Sequence, residues 1–136
     1  MAYDAHSNDA AGVVRLRSGY PFDDTVRRLL AAFAERGIKV FASIDQQAEA
    51  LAVGISMPPT TLILFGNPKA GTPLMLANPQ SGLDLPLKAL VTESPAGEVD
   101  VTMNDAAYII QRHGLPAELL ANLAPVERLV ESVLRR

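Results

Sequence analysis

The sequence contains no cysteine and no tryptophan. Without cysteine, disulfides, thiolate zinc centres and a cysteine nucleophile are excluded together. Without tryptophan, and with only four phenylalanines and three tyrosines, little is available to stack nucleobases. Histidine is scarce: His6 and His113 are the two, and no H-x-x-x-H spacing places a pair of imidazoles on one helix face. No tight carboxylate cluster stands in for them, so no metal site and no cofactor is implied. No G-x-S-x-G element marks a serine nucleophile. No apolar run reaches the ~18 residues of a membrane span, so no membrane partner is expected. Positive charge is not concentrated either. The net charge is −3, with 12 basic residues scattered among 15 acidic ones, whereas a nucleic-acid partner demands a basic stripe.

What is present suits one domain: 136 residues, 49% of them hydrophobic. The opening "MAYDAHSNDAAG" has neither the basic start nor the apolar stretch of a secretory signal. A flexible arm over 1–12 and a cytoplasmic location are the expectations. From 13 to 136 a single domain is expected. Val13 to Arg17 alternates as a strand. Phe22, Val26, Leu29, Leu30 and Phe33 then recur at helical spacing, with Asp23 and Asp24 in the first turn and Gly37 after the last. "IKVFASID" reads as a strand with Ile38, Val40 and Ile44 on one face and Phe41 on the other. A short helix closed by Gly54 and the apolar strand "TTLILF" follow.

After an irregular stretch, "LPLKALVTE" and "EVDVTM" are expected to pair as an antiparallel hairpin about "SPAG". "NDAAYIIQRHG" reads as a helix capped by Asn104 and ended by Gly114. The tail from about 116 is expected as two helical pieces with a break or kink just before Pro125, which lacks the N–H for a helical hydrogen bond. This order predicts an α+β two-layer sandwich. Its sheet would be mixed or mostly antiparallel, of about five strands, with helices packed on one face. The other face then needs cover, from the C-terminal helix or a second subunit.

The irregular stretch, "LFGNPKAGTPLMLANPQSGLDLPLK", is dense in proline, glycine and asparagine. Gly66 and Gly71 have the spacing of a phosphate-binding loop. Thr72, however, stands where that loop needs lysine, and Pro73 where it needs a hydroxyl. Pro68 and Pro73 also remove N–H groups that would cradle a phosphate. Asn67-Pro68 fits instead a helix cap followed by proline in the first turn. Such a helix starts at Pro68 and is distorted by Gly71 and Pro73, or starts at Pro73. Asn78-Pro79 stops it.

Several elements together, "PTTLILFGNPKAGTPLM", "GLDLPLKALV" and "NDAAYIIQRHG", with "FDDTVRRL" and "GIKVFASID" upstream, resemble the bacterial and archaeal domain-of-unknown-function family 302. The resemblance runs from about Val13 to Leu115. It implies an α+β sandwich similar to the TATA-box-binding-protein-like fold, and a homodimer. It implies no DNA binding and no established activity. Ile44-Asp45-Gln46 departs from the family's usual I-D-H, so any role of that histidine is lost here.

Six residues are candidates for contacting a ligand: Asp45, Asn67, Asp84, Lys88, Asn104 and His113. Asn67 and Asn104 are caps before they are ligands. His113, with Arg112, suits a helix C-terminus, where cations complement the dipole. A functional His113 needs a carboxylate, for which Asp45 is the candidate. Lys88 would need Asp45 or Asp84 if its face were covered. Three functions follow. One is a module that binds a small molecule or anion beside Gly66–Lys88. Another is a dimerisation domain burying Met57, Leu74, Met75 and Leu76. The third is an acid–base enzyme using Asp45, Lys88 and His113.

Overall fold

The computed structural model describes residues 9–136. Residues 1–8 of the expected arm, His6 among them, lie outside the described residues. Five strands form one sheet in the order β1-β5-β4-β3-β2. They are β1 (Val13–Arg17), β2 (Lys39–Asp45), β3 (Thr60–Gly66), β4 (Leu87–Glu93) and β5 (Val99–Asn104). Every pairing is antiparallel, so the mixed alternative falls away. The helices are α1 (Phe22–Glu35), α2 (Gln46–Ala52), α3 (Pro68–Ala77), α4 (Ala106–Arg112) and α5 (Leu120–Leu134). Two 3-10 turns, Pro79–Asp84 and Ala117–Leu119, complete the described residues.

The period-2 pattern of the strands puts one residue set against the helices. Ile63 and Phe65, Ala89 and Val91, Val101 and Met103, and Leu16 are all buried there. Leu29 and Phe33 of α1 and Val130 and Leu134 of α5 pack on that face. Phe33 stacks on Phe65 with ring centroids 4.2 Å apart. Gly37 adopts φ 67° beyond α1, a left-handed geometry that costs glycine nothing. A second apolar cluster joins Leu74 of α3 to Ala106, Ile109 and Ile110 of α4 and to Leu115 and Leu123. It anchors the irregular segment to the end of the sheet.

Three expectations need correction. The C-terminal tail is not broken at Pro125, because α5 runs through it. Pro125 faces solvent, and so does Ala121, whose carbonyl the missing N–H would have bonded. Nor does α5 cover the open sheet face, since it packs beside α1. The rows Ile44–Leu62–Leu90–Thr102–Arg15 and Ala42–Leu64–Lys88 lie on that face, and all of these residues are half-buried. Finally, Ile44 does not share a face with Val40. A register shift between Val40 and Ala42 leaves Phe41 unpaired and inverts the alternation beyond it.

Candidate functional site

The register shift in β2 leaves Phe41, which is 45% exposed, without a cross-strand partner. Its ring lies near Gly66, the cross-strand partner of Lys39, where an added Cβ would lie 3.8 Å from the Phe41 ring and 3.9 Å from Pro86. Asn67 follows. Its Oδ1 accepts a hydrogen bond from the Lys69 N–H at 2.9 Å, and Pro68 occupies the first turn of α3. The cap-and-proline reading of this stretch therefore holds, with the helix starting at Pro68 and Pro73 inside it. Asn122 of α5 fixes the far wall: its Nδ2 donates to the Ala70 carbonyl at 3.0 Å. The 3-10 turn packs below, with Gly82 against Met75.

Between these elements opens a cavity of about 330 Å³. Phe41, Gly71, Met75, Leu85, Leu87 and Val126 supply its apolar wall, and Asn67, Thr72 and Asn122 its polar groups. Among the described residues, no charged side chain lines it. Size and composition fit a small-molecule site, which is mostly apolar with a few placed polar groups.

A second polar cluster lies on the other side of the 3-10 turn. His113 Nε2 donates to Asp84 Oδ2 at 2.6 Å, and Arg112 donates to both Asp84 oxygens at 3.1 and 2.9 Å. Asn78 Nδ2 donates to the His113 carbonyl at 2.9 Å. The His113 side chain is 5% exposed. These bonds clasp the turn to the C-terminus of α4. Ser81, fully buried in the same turn, finds no partner for its hydroxyl among the described residues. It lines none of the clefts described here.

The remaining candidates are scattered. Asp45 is the cap of α2, accepting from the Ala48 N–H at 2.9 Å, so it is not the partner of His113. Lys88 Nζ donates to the Pro86 carbonyl at 3.2 Å rather than to Asp45 or Asp84. Asn104 is not the cap of α4. It is the last residue of β5, and Asp105 takes the cap position without a side-chain bond. Glu127 of α5 serves instead, accepting from the Ala106 N–H at 2.6 Å. Burial pushes the Glu127 carboxyl above its ordinary value of 4.5; Asp105 adds to that shift, while the Ala106 N–H and Arg128 oppose it. Asn104, Lys88 and Glu127 line a narrow slot. Asp45 lines shallow clefts beside α1, and His113 lines neither. Among the described residues, no group of three or more His, Asp or Glu side chains could hold a metal ion.

Sequence reading thus reached Asn67 and the segment around it but not Asn122, Phe41 or Glu127. Asn122 carried a weak signal, as a polar residue four before Val126 on an otherwise apolar helix stripe. Phe41 carried none, because a bulge is not visible in a regular alternation.

The family described as "Domain of unknown function DUF302" matches residues 14–134. Among curated proteins, the "Fluoride-specific ion channel FluC 1" of Brucella suis biovar 1 is 42% identical over 105 residues, which cover 77% of this chain and 41% of that protein. The protein of the same description from Brucella abortus biovar 1 matches equally, over 39% of its length. The chain thus spans about two fifths of the length of these relatives. Among solved structures, the "uncharacterized conserved protein DUF302 from Bacillus stearothermophilus" superposes with a TM-score of 0.76. That match covers 92% of this chain and 97% of the other at 17% identity, so it concerns the fold.

Proposed function

Because the chain belongs to the DUF302 family, a domain of unknown function, we propose from its geometry that it is a small-molecule-binding module whose site is the cavity beside α3. One observation carries this reading: a cavity of about 330 Å³ framed by three devices that do not serve packing alone. They are the bulge that frees Phe41, the side-chain-free Gly66 and Gly71, and Asn122 tethering α5 to α3. No cation is among the described lining residues, and the Lys39 ammonium, 5.1 Å from the Phe41 ring centroid, is engaged by that ring, so the ligand is taken to be uncharged. Asp45, Lys88 and His113 have separate partners, which leaves the acid–base reading without a common centre.

The test is a thermal-shift screen of uncharged and anionic metabolites against the wild type and Gly71→Leu. An added Cβ at Gly71 meets only Leu85 Cδ1, at 3.9 Å, so leucine there fills the cavity without displacing backbone. Uncharged hits that raise the melting temperature of the wild type and not of Gly71→Leu are expected. Equal shifts in both proteins, or no hit, would count against the site.

A second reading, of a homodimer, rests on apolar surface elsewhere. Leu76 and Leu83 are 80% and 73% exposed, and Ile44, Leu62, Leu64 and Leu90 form a half-buried patch on the open sheet face. Leu74 belongs to no such seam, because it is fully buried within the monomer. Sedimentation at micromolar concentration decides between monomer and dimer. As for the curated relatives, none of the described helices here is long and apolar enough to cross a membrane. The channel activity in their description is said of those whole proteins, of which this chain matches about two fifths.

A further inference from the structure

We propose that the cavity takes a largely apolar, uncharged molecule whose polar head both accepts and donates a hydrogen bond, as a carboxamide does. The inference rests on the small-molecule reading above and adds the ligand's chemistry. Two asparagines line the cavity, and the protein uses one half of each. Asn67 spends its oxygen on the Lys69 N–H, so its Nδ2 is left as a donor. Asn122 spends its nitrogen on the Ala70 carbonyl, so its Oδ1 is left as an acceptor. Each assignment follows from the partner: an N–H needs an acceptor, and a carbonyl needs a donor. With both residues in its lining, the cavity is assigned one donor and one acceptor, with the Thr72 hydroxyl able to play either part. With no charged side chain among the described residues of the wall, a carboxylate or ammonium would lose its hydration uncompensated. Phe41 gives a flat surface to an apolar body, and Met75 a deformable one.

The experiment uses three probes of nearly equal shape, benzamide, benzoate and toluene, titrated to millimolar concentration and followed in amide correlation spectra. Benzamide is expected to shift the resonances of Gly71 and of the Asn67 and Asn122 side chains. It should bind about tenfold more tightly than toluene, the worth of one or two net hydrogen bonds, and more tightly still than benzoate. Asn67→Asp keeps the helix cap, since aspartate caps as well as asparagine, but removes the donor. It is expected to weaken benzamide about tenfold while leaving toluene unchanged and the circular dichroism spectrum native. Equal binding of toluene and benzamide at the cavity would overturn the ligand class and leave the site standing. So would tighter binding of benzoate, or unaltered benzamide affinity in Asn67→Asp. Absence of cavity shifts with all three probes would overturn the class and the site together.

Discussion

Asp84 holds the 3-10 turn to α4 through bonds to His113 and Arg112 at 2.6 to 3.1 Å. Its loss in Asp84→Ala leaves the nearly buried His113 Nε2 without an acceptor. The expected cost is about 1–3 kcal/mol, read as a lower urea midpoint with an unchanged slope. His113 was visible in the sequence as a helix-terminal residue needing a carboxylate. That the carboxylate is Asp84, not Asp45, depends on a turn geometry no local pattern encodes. Glu127 is the opposite case: a charged residue on an exposed-looking helix stripe that caps another helix across the fold. Its raised pKa means the folded protein binds more protons than the unfolded chain above the ordinary value of 4.5. Its contribution to stability is present below that value and is lost as pH rises through the folded pKa. Glu127→Gln retains an acceptor for Ala106 N–H and has no such loss. Urea unfolding should find it more stable than the wild type at neutral pH, with the advantage vanishing in acid.

Among the elements, α3 supplies much of the cavity wall. Its start was legible because Asn67-Pro68 is a cap and first-turn pair whose physics is local. Its length was not, since Pro73 and Gly71 both argue against a continuous helix and packing of Leu74 overrides them. Gly71 has no positive φ, and an added Cβ would make only an ordinary contact, with Leu85 Cδ1 at 3.9 Å. Gly71→Ala is thus expected to stabilise the protein by about 0.5–1 kcal/mol, measurable by thermal unfolding. A helix glycine kept at that expense fits a wall that must stay low. The bulge in β2 follows the same logic, giving up one ladder position to aim Phe41 at the cavity. α5 was misread at Pro125 because proline interrupts a helix only where the lost bond has no alternative. Here the carbonyl of the exposed Ala121 has solvent.

For the whole molecule, the sheet and its helical layer were legible because strand alternation and the α1 stripe agree with burial nearly residue by residue. The open face was foreseen as needing cover, and α5 does not provide it. Leucines 62, 64 and 90 on that face remain half-buried, while its far side carries Arg15 and Arg17 paired to Asp100 at 3.1 and 2.7 Å. The cavity, in contrast, exists only where four separated segments meet, and no single stretch of sequence describes it. Its occupancy is the central claim. The most direct measurement is a crystal structure of the protein soaked with benzamide. The account predicts density for the probe between Phe41, Gly71 and Asn122, with its amide against Asn67 Nδ2 and Asn122 Oδ1. A cavity closed by Phe41 and Met75, with no probe inside, would contradict it.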